Sequence, residues 1–307
     1  MTARSLVVGQ GSIGQRHARV LEEMGHAVAA VSRRGGERAF PDLATAFAAG
    51  APDYVVVATE TVDHGRVLAA LAELDFAGLV LVEKPLFAAP ASVPDHRFAA
   101  LACAYQLRFH PLMQRLHRLL AGAPVLSAQI YVGQYLPEWR PGRDHRDTYS
   151  AKADLGGGAL RDLSHELDCA DWLLGPWTRV AALGGTWGEL GIDSDDCFAL
   201  LVEHERCRAA TVHLNYLDRR TRREIVLNTA AHTFALDFIA GTLRRDRDEP
   251  ETVVVDRDQA FRAMHAAMLE GPRGDLCDMA SALRTVGLVA AAERAARDGV
   301  WVGRSAS

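Results

Sequence analysis

Short apolar runs alternate with amphipathic stretches over the first hundred residues. Ser5–Gly9 has the pattern of a buried strand, a helical stretch covers about Gln15 to Met24, and a second strand runs from Ala27 to Val31. Asp53–Ala58 is a strand, His64–Leu74 a helix and Gly78–Val82 a strand, with a further candidate strand over Phe98–Tyr105. Apolar strands of this length, alternating with helices, predict a parallel, doubly wound α/β sheet. Past residue 105 the rhythm changes. Helical runs at about Pro111–Leu120, Gln259–Leu269 and Leu276–Arg297 flank strand-like runs at Val125–Tyr131, Arg179–Trp187, Cys197–Glu203, Ala209–Tyr216, Glu224–Asn228, Thr233–Asp237 and Thr252–Val255. The pattern divides the chain into a domain over 1–104 and a second over 105–307, whose last helix is free to pack back on the first.

One stretch combines glycines, a helix and ionisable groups. Gly156, Gly157 and Gly158 allow a close backbone approach and lead into a helix with an apolar stripe of Leu160, Leu163, Leu167, Ala170 and Leu174. Asp162 and His165 stand one turn apart on that helix, with His165 turned away from the middle of the stripe. The plain reading is a solvated helix face. The sharper reading is a histidine acid/base backed by a carboxylate, and upstream residues favour it.

Gly9-Gln10-Gly11-Ser12-Ile13-Gly14 sits between a strand and a helix, the context that a G-x-G-x-x-G pattern needs in order to bind a dinucleotide. Gly9 permits the turn, Gly11 lets the backbone reach a pyrophosphate, and Gly14 lets helix and strand close up. The helix start, with Ser12 and Ile13, offers free N–H groups to phosphate. The second strand ends in Ser32-Arg33-Arg34 and not in an acidic residue, which favours the 2′-phosphate of NADP over NAD. The plain alternative is a solvated basic turn. Two loops leave strand ends where ligands of such sheets bind: Thr59, Glu60 and His64 in one, Glu83-Lys84-Pro85 in the other.

Composition narrows the function classes. A net charge of −5 over 307 residues argues against a general nucleic-acid binder or a basic membrane-surface protein. No apolar run approaches the ~18 residues of a membrane span, and no secretory leader layout is present, so the expected location is the cytoplasm. The five cysteines are scattered, without the spacing of a metal site, so no metal is expected.

The ordered set Gly9–His17, the Ala-Thr-x-Thr-x-x-His stretch ending at His64, Glu83-Lys84-Pro85 and the glycine-rich helix with His165 resembles the glucose–fructose oxidoreductase / inositol dehydrogenase / rhizopine catabolism family. Tyr105–Pro111, Tyr135–Trp139 and Tyr149–Lys152 resemble members from surface-sugar and sugar-nucleotide pathways. The resemblance implies an N-terminal Rossmann domain and a C-terminal α+β domain with a large, mostly antiparallel open sheet. It implies hydride transfer between NADP or NAD and a sugar-like substrate, with Lys84 polarising the reacting hydroxyl, His165 handling its proton and Asp162 orienting the imidazole or the substrate. Glu83 anchors the loop and Pro85 aims it. Arg108, Trp139, Tyr149 and Lys152 are candidate substrate contacts, Tyr149 also being an alternative proton donor. A homodimer or homotetramer is implied as well. The sequence departs from the family in placing Asp162 three residues before His165, where four is common, and in having Glu60 where proline is common. Two other functions stay open on the residues alone: a nucleotide-binding sensor or regulatory subunit, and an enzyme that oxidises a sugar transiently to cleave a glycoside.

Overall fold

The computed structural model describes residues 3–32, 35, 39–140, 142–270 and 273–304. The chain runs β1 (Arg4–Val8), α1 (Ser12–Glu23), β2 (Ala27–Val31), β3 (Ala39–Phe40), α2 (Leu43–Ala48), β4 (Tyr54–Val57), α3 (His64–Glu73), β5 (Leu79–Val82) and β6 (Ala100–Cys103). It continues with α4 (Pro111–Leu120), β7 (Val125–Gly133), α5 (Ala159–Asp162), α6 (His165–Leu174), β8 (Trp177–Gly185), β9 (Cys197–His204), β10 (Cys207–Asn215), β11 (Arg222–Thr229), β12 (Thr233–Asp237), β13 (Thr242–Arg245) and β14 (Glu251–Thr252). Helices α7 (Gln259–Glu270) and α8 (Met279–Asp298) and strand β15 (Val302–Gly303) complete it. The structure forms two compact units: Met1–Phe109 with Asp256–Ala282, and His110–Val255 with Leu283–Ser307.

The first unit holds a six-stranded parallel sheet in the order β3-β2-β1-β4-β5-β6. All four residues of β4 are fully buried, as expected of a strand covered on both faces. α1 buries His17, Val20 and Leu21 at helical spacing. Phe261, Met264 and Met268 of α7 join Val7, Val20, Leu21, Tyr54 and Leu81 in one apolar core. A segment about 150 residues downstream in sequence therefore completes this unit.

The second unit carries a nine-stranded sheet in the order β14-β13-β12-β11-β7-β10-β9-β8-β15. β7 and β10 are parallel and every other neighbouring pair is antiparallel. α6 packs against β7 and β10, over the buried Ala128, Ile130 and Val132 of β7. On β9, buried Leu200 and Val202 alternate with exposed Leu201, the pattern of a sheet with one covered face. Among the described residues no helix is long and apolar enough to cross a membrane.

Candidate active site

The β1–α1 turn is shaped by what surrounds its glycines. Gly9 has φ +107°, and a Cβ there would strike the Ala58 carbonyl. A Cβ on Gly14 would strike the Gly9 carbonyl, so α1 rests directly on the turn. Gly11 faces open space, with no heavy atom within 4 Å of where its Cβ would be. That space lies at the N-terminal end of α1, where Gly11, Ser12 and Ile13 are partly or fully exposed and the first-turn N–H groups lack helical acceptors. The turn therefore fits a pyrophosphate laid over Gly11. Beside Gly9 in space, the buried Thr59 Oγ1 has no hydrogen-bond partner among the described residues, while Glu60 is exposed. Ser32 directly follows β2 and is buried; Arg33 and Arg34 lie outside the described residues.

His64 has a different setting from the one expected of a cofactor contact. It is fully buried, its Nδ1 faces the carbonyls of Pro85 (3.2 Å) and Leu86 (3.1 Å), and its Nε2 faces that of Thr59 (3.2 Å). Burial holds its pKa below the usual histidine value against these carbonyls. The ring joins the two loops that leave β4 and β5.

Lys84 follows β5 on a loop fixed from behind, and the Lys84–Pro85 bond is cis. The buried Glu83 carboxylate accepts the Lys84 backbone N–H on Oε2 (3.0 Å) and meets His17 Nε2 on Oε1 (2.8 Å). His17 Nδ1 meets His265 Nε2 at 2.9 Å, and His265 Nδ1 meets the Tyr54 hydroxyl at 2.8 Å. Burial, above all, holds His265 well below the usual histidine range, so it is neutral. One direction then satisfies every group: Tyr54 donates to His265, His265 to His17, and His17 to Glu83. Burial pushes the Glu83 pKa up, but the hydrogen bond from His17 and the charge and N–H of Lys84 outweigh it, leaving the carboxyl below its usual value. The line connects α1, α7, β4 and the Lys84 loop. His265→Leu breaks it at the centre, stranding the Tyr54 hydroxyl and His17 Nδ1 in an apolar core. A loss of roughly 3 kcal/mol in urea unfolding is expected; a loss under about 1 kcal/mol would mean that the line does not hold the unit together.

In the second unit, the expected single helix after the glycines is two. α5 ends at Asp162, Leu163 and Ser164 leave the helix, and α6 begins at His165. The backbone causes the break. Asp162 and Leu163 N–H bond four residues back, whereas Ser164 and Glu166 N–H bond only three back, to Arg161 and Leu163 (3.3 Å each). The turn tightens and re-aims the chain. The leucines and Ala170 of the stripe are buried as expected, but His165 is buried too, at 7% exposure, and not on a solvated face.

Asp162 sits between two phenols. Tyr149 donates to its Oδ1 and Tyr216 to its Oδ2, both at 2.7 Å. Burial first, then the Asp162 charge, pushes both tyrosine pKa values well above 10, so both hydroxyls stay protonated donors. Asp195 fixes the entry to α5. Its carbonyl accepts the Ala159 N–H (2.8 Å), its Oδ2 accepts the Leu160 N–H (2.8 Å), and its side chain fills the place where a Cβ on Gly158 would stand. Burial raises the Asp195 pKa to about 6, despite the Leu160 N–H and the Arg161 charge. Glu166 of α6 forms a two-pronged ion pair with Arg223 of β11 (2.6 and 3.0 Å). Sequence reasoning missed Tyr216, Asp195 and this pair, because each partner lies at least 35 residues from the group that it holds.

The four candidate substrate contacts have different settings. Arg108 is buried in the first unit and donates to the Leu276 carbonyl (3.3 Å), which withdraws it from a solvent-facing role. Lys152 is exposed. Trp139 packs edge-on against Tyr216 at 5.0 Å between ring centres, so with Tyr149 it belongs to the surroundings of Asp162. All five cysteines are buried and outside any disulfide. Among the described residues no group of three or more His, Cys, Asp or Glu side chains could hold a metal ion.

Residues 3–102 match the family model described as "Oxidoreductase family, NAD-binding Rossmann fold", and residues 122–234 match the GFO/IDH/MocA C-terminal domain. The chain belongs to the Gfo/Idh/MocA oxidoreductase family. The fold agrees throughout. GenD2 from gentamicin A biosynthesis, in complex with NAD, is 23% identical, with 99% of this chain and 97% of that one covered and a TM-score of 0.80. The WlbA dehydrogenase from Bordetella pertussis, in complex with NADH and UDP-GlcNAcA, is 20% identical over the whole of both chains, with a TM-score of 0.79. An inositol dehydrogenase homolog from Azotobacter vinelandii, complexed with NAD+, is 17% identical, covers 99% of this chain and 98% of its own, and has a TM-score of 0.82. A search of curated proteins finds no match. The Gly9–Gly14 turn lies within the segment matched to the NAD-binding Rossmann model.

Proposed function

We propose that the protein interconverts a carbinol and a keto group on a sugar, sugar nucleotide or cyclitol, using NADP in preference to NAD. The observation that carries this reading is the fixed Lys84: a Gfo/Idh/MocA chain keeps an amine on a loop held by a buried line of four hydrogen-bonding side chains. The bound nicotinamide supplies the hydride acceptor or donor.

The chain's own residues do the rest. Gly9, Gly11 and Gly14 with the start of α1 hold the pyrophosphate. Ser32, Arg33 and Arg34 take the 2′-phosphate, Thr59 offers its unpartnered hydroxyl, and His64 serves as the brace between the two loops. The Lys84 ammonium favours ionisation of the reacting hydroxyl. His165 accepts the hydroxyl proton, or returns it in the reductive direction. Asp162 accepts hydrogen bonds from two tyrosines that keep their protons, so it is an orienting carboxylate. The same bond makes Tyr149 a poor proton donor to substrate, since efficient acids have a pKa near the working pH.

Two measurements test this. Direct titration is expected to give NADP a Kd about tenfold below that of NAD, as an arginine–phosphate contact implies; equal or tighter NAD binding would remove Arg33 and Arg34 from the cofactor site. Loading the protein with cofactor and following nicotinamide absorbance with panels of sugars, cyclitols and sugar nucleotides is expected to find turnover with at least one. No change with any of them, despite tight cofactor binding, would favour a sensor.

A further inference from the structure

Among the described residues, many arginines are matched to an acid. In the turn after β10 and the strand that follows, Arg222 pairs with Glu224 and Arg223 with Glu166. Arg219, in the same turn, makes no ion pair among the described residues and lies over the Tyr135 ring, 4.3 Å from its centre. Arg140 and Arg143, on the segment after β7, likewise have no acid partner among the described residues. Arg140 and Arg143 line two adjoining cavities, and Arg219 stands over Tyr135 on the wall of the larger one. A cleft of about 380 Å³ is lined by Gln134, Tyr135, Glu138, Trp139, Arg140 and Thr221. A smaller cavity shares Trp139 and Arg140 with it and adds Arg143. The indole N–H of Trp139, on both cavities, is buried with no acceptor among the described residues.

We propose that this cleft is an anion subsite that takes a phosphate or diphosphate group carried by the substrate. Unmatched guanidinium groups present planar forks of donors suited to phosphate oxygens. Trp139 adds a donor without a partner, and Tyr135 and Trp139 supply aromatic faces against which a sugar or base can lie. Glu138 is the only acid on the wall of the larger cleft, and it suits a hydroxyl of the same ligand. The subsite also reaches the proton machinery. The Arg140 guanidinium lies 5.6 Å from the centre of the Tyr149 ring, and Tyr149 bonds Asp162. A substrate anchored by its phosphate at Arg140 thus has its sugar within reach of Asp162. This rests on the proposed function and narrows its substrate class to phosphorylated sugars and sugar nucleotides.

The test is calorimetric titration of the full chain, in low salt, with pyrophosphate, UMP, UDP and glucose 1-phosphate, with neutral glucose as control. Binding of at least one phosphate compound but not of glucose is expected. Arg140→Ala and Arg219→Ala are each expected to weaken that binding about tenfold, the size of one lost charge-assisted contact, while NADP affinity is unchanged. Tighter binding of UDP than of pyrophosphate and glucose 1-phosphate assigns the site to a sugar nucleotide; the reverse order assigns it to a sugar phosphate. Circular dichroism and NADP binding of the variants check that both remain folded, and Arg140→Lys, which keeps the charge, is expected to recover part of the affinity. The proposal is overturned if no phosphate compound binds at millimolar concentration, or if both alanine variants bind as the wild type does. It is also overturned if the variants lose self-association and not ligand affinity, which would make the arginines contacts to a second copy. Oxidation of neutral sugars without phosphate binding would defeat this subsite and leave the oxidoreductase reading intact. Phosphate binding without turnover of any sugar would do the opposite.

Discussion

Lys84→Met is expected to lower kcat by about a thousandfold while the Kd for the nicotinamide cofactor stays within about threefold of wild type. Methionine keeps an unbranched stem of similar reach and removes the ammonium, with its charge and its N–H donors. The Lys84 backbone is held independently of its ammonium, through the Glu83 carboxylate on its N–H. The substitution therefore leaves the loop in place and tests the amine alone. A positive charge beside a reacting hydroxyl stabilises the alkoxide character that develops as hydride leaves, and the effect is confined to the chemical step. The two quantities should therefore separate: turnover collapses and cofactor binding does not. Steady-state kinetics with a parallel cofactor titration read both. A kcat within about tenfold of wild type would remove Lys84 from the role of polarising group.

The second large effect lies in the glycine turn, where two substitutions of the same size are expected to behave differently. Gly11→Ala places its methyl in open space, so thermal stability should stay within about 2 °C of wild type. The same methyl occupies the volume assigned to the pyrophosphate, so dinucleotide affinity should fall by about fiftyfold or more. Gly14→Ala drives its methyl against the Gly9 carbonyl, a backbone atom that cannot swing aside. That variant should lose both stability and affinity. Thermal melts with and without cofactor distinguish the two patterns. Unchanged affinity in Gly11→Ala would mean that the phosphates do not cross Gly11.

The parts of the site legible in the sequence are those whose physics is local. Gly9, Gly11 and Gly14 answer to one turn and one helix start, both formed within ten residues. Thr233–Asp237 and Pro111–Leu120 follow from hydrophobic period alone. The missed elements are short or set by distant partners. α2 is six residues long and signalled only by its Asp42 cap on the Thr45 N–H, and β13 is four residues of Thr-Leu-Arg-Arg with a single apolar position. The stripe from Leu160 to Leu174 implied one continuous helix, because period does not register a switch from four-residue to three-residue hydrogen bonds at Ser164. Arg108 looked like a substrate ligand because its burial beneath Leu276 depends on a segment 168 residues away. Asp162 was visible, but its role was not: both of its tyrosines come from other parts of the second unit, and Tyr216 looked like the end of a strand.

Helix α7 bears on how this protein is made. Phe261, Met264, His265 and Met268 belong to the interior of the dinucleotide-binding unit, yet they leave the ribosome only after strands β7 to β14 of the second unit have been translated. The emerging chain carries its β1–β6 sheet with an apolar side uncovered and the Glu83 line unfinished for most of synthesis. The N-terminal unit, first in sequence, is therefore completed only once Asp256–Ala282 has been made, and a fragment ending near Phe109 is expected to be a substrate for chaperones and proteases in place of a free-standing nucleotide-binding module.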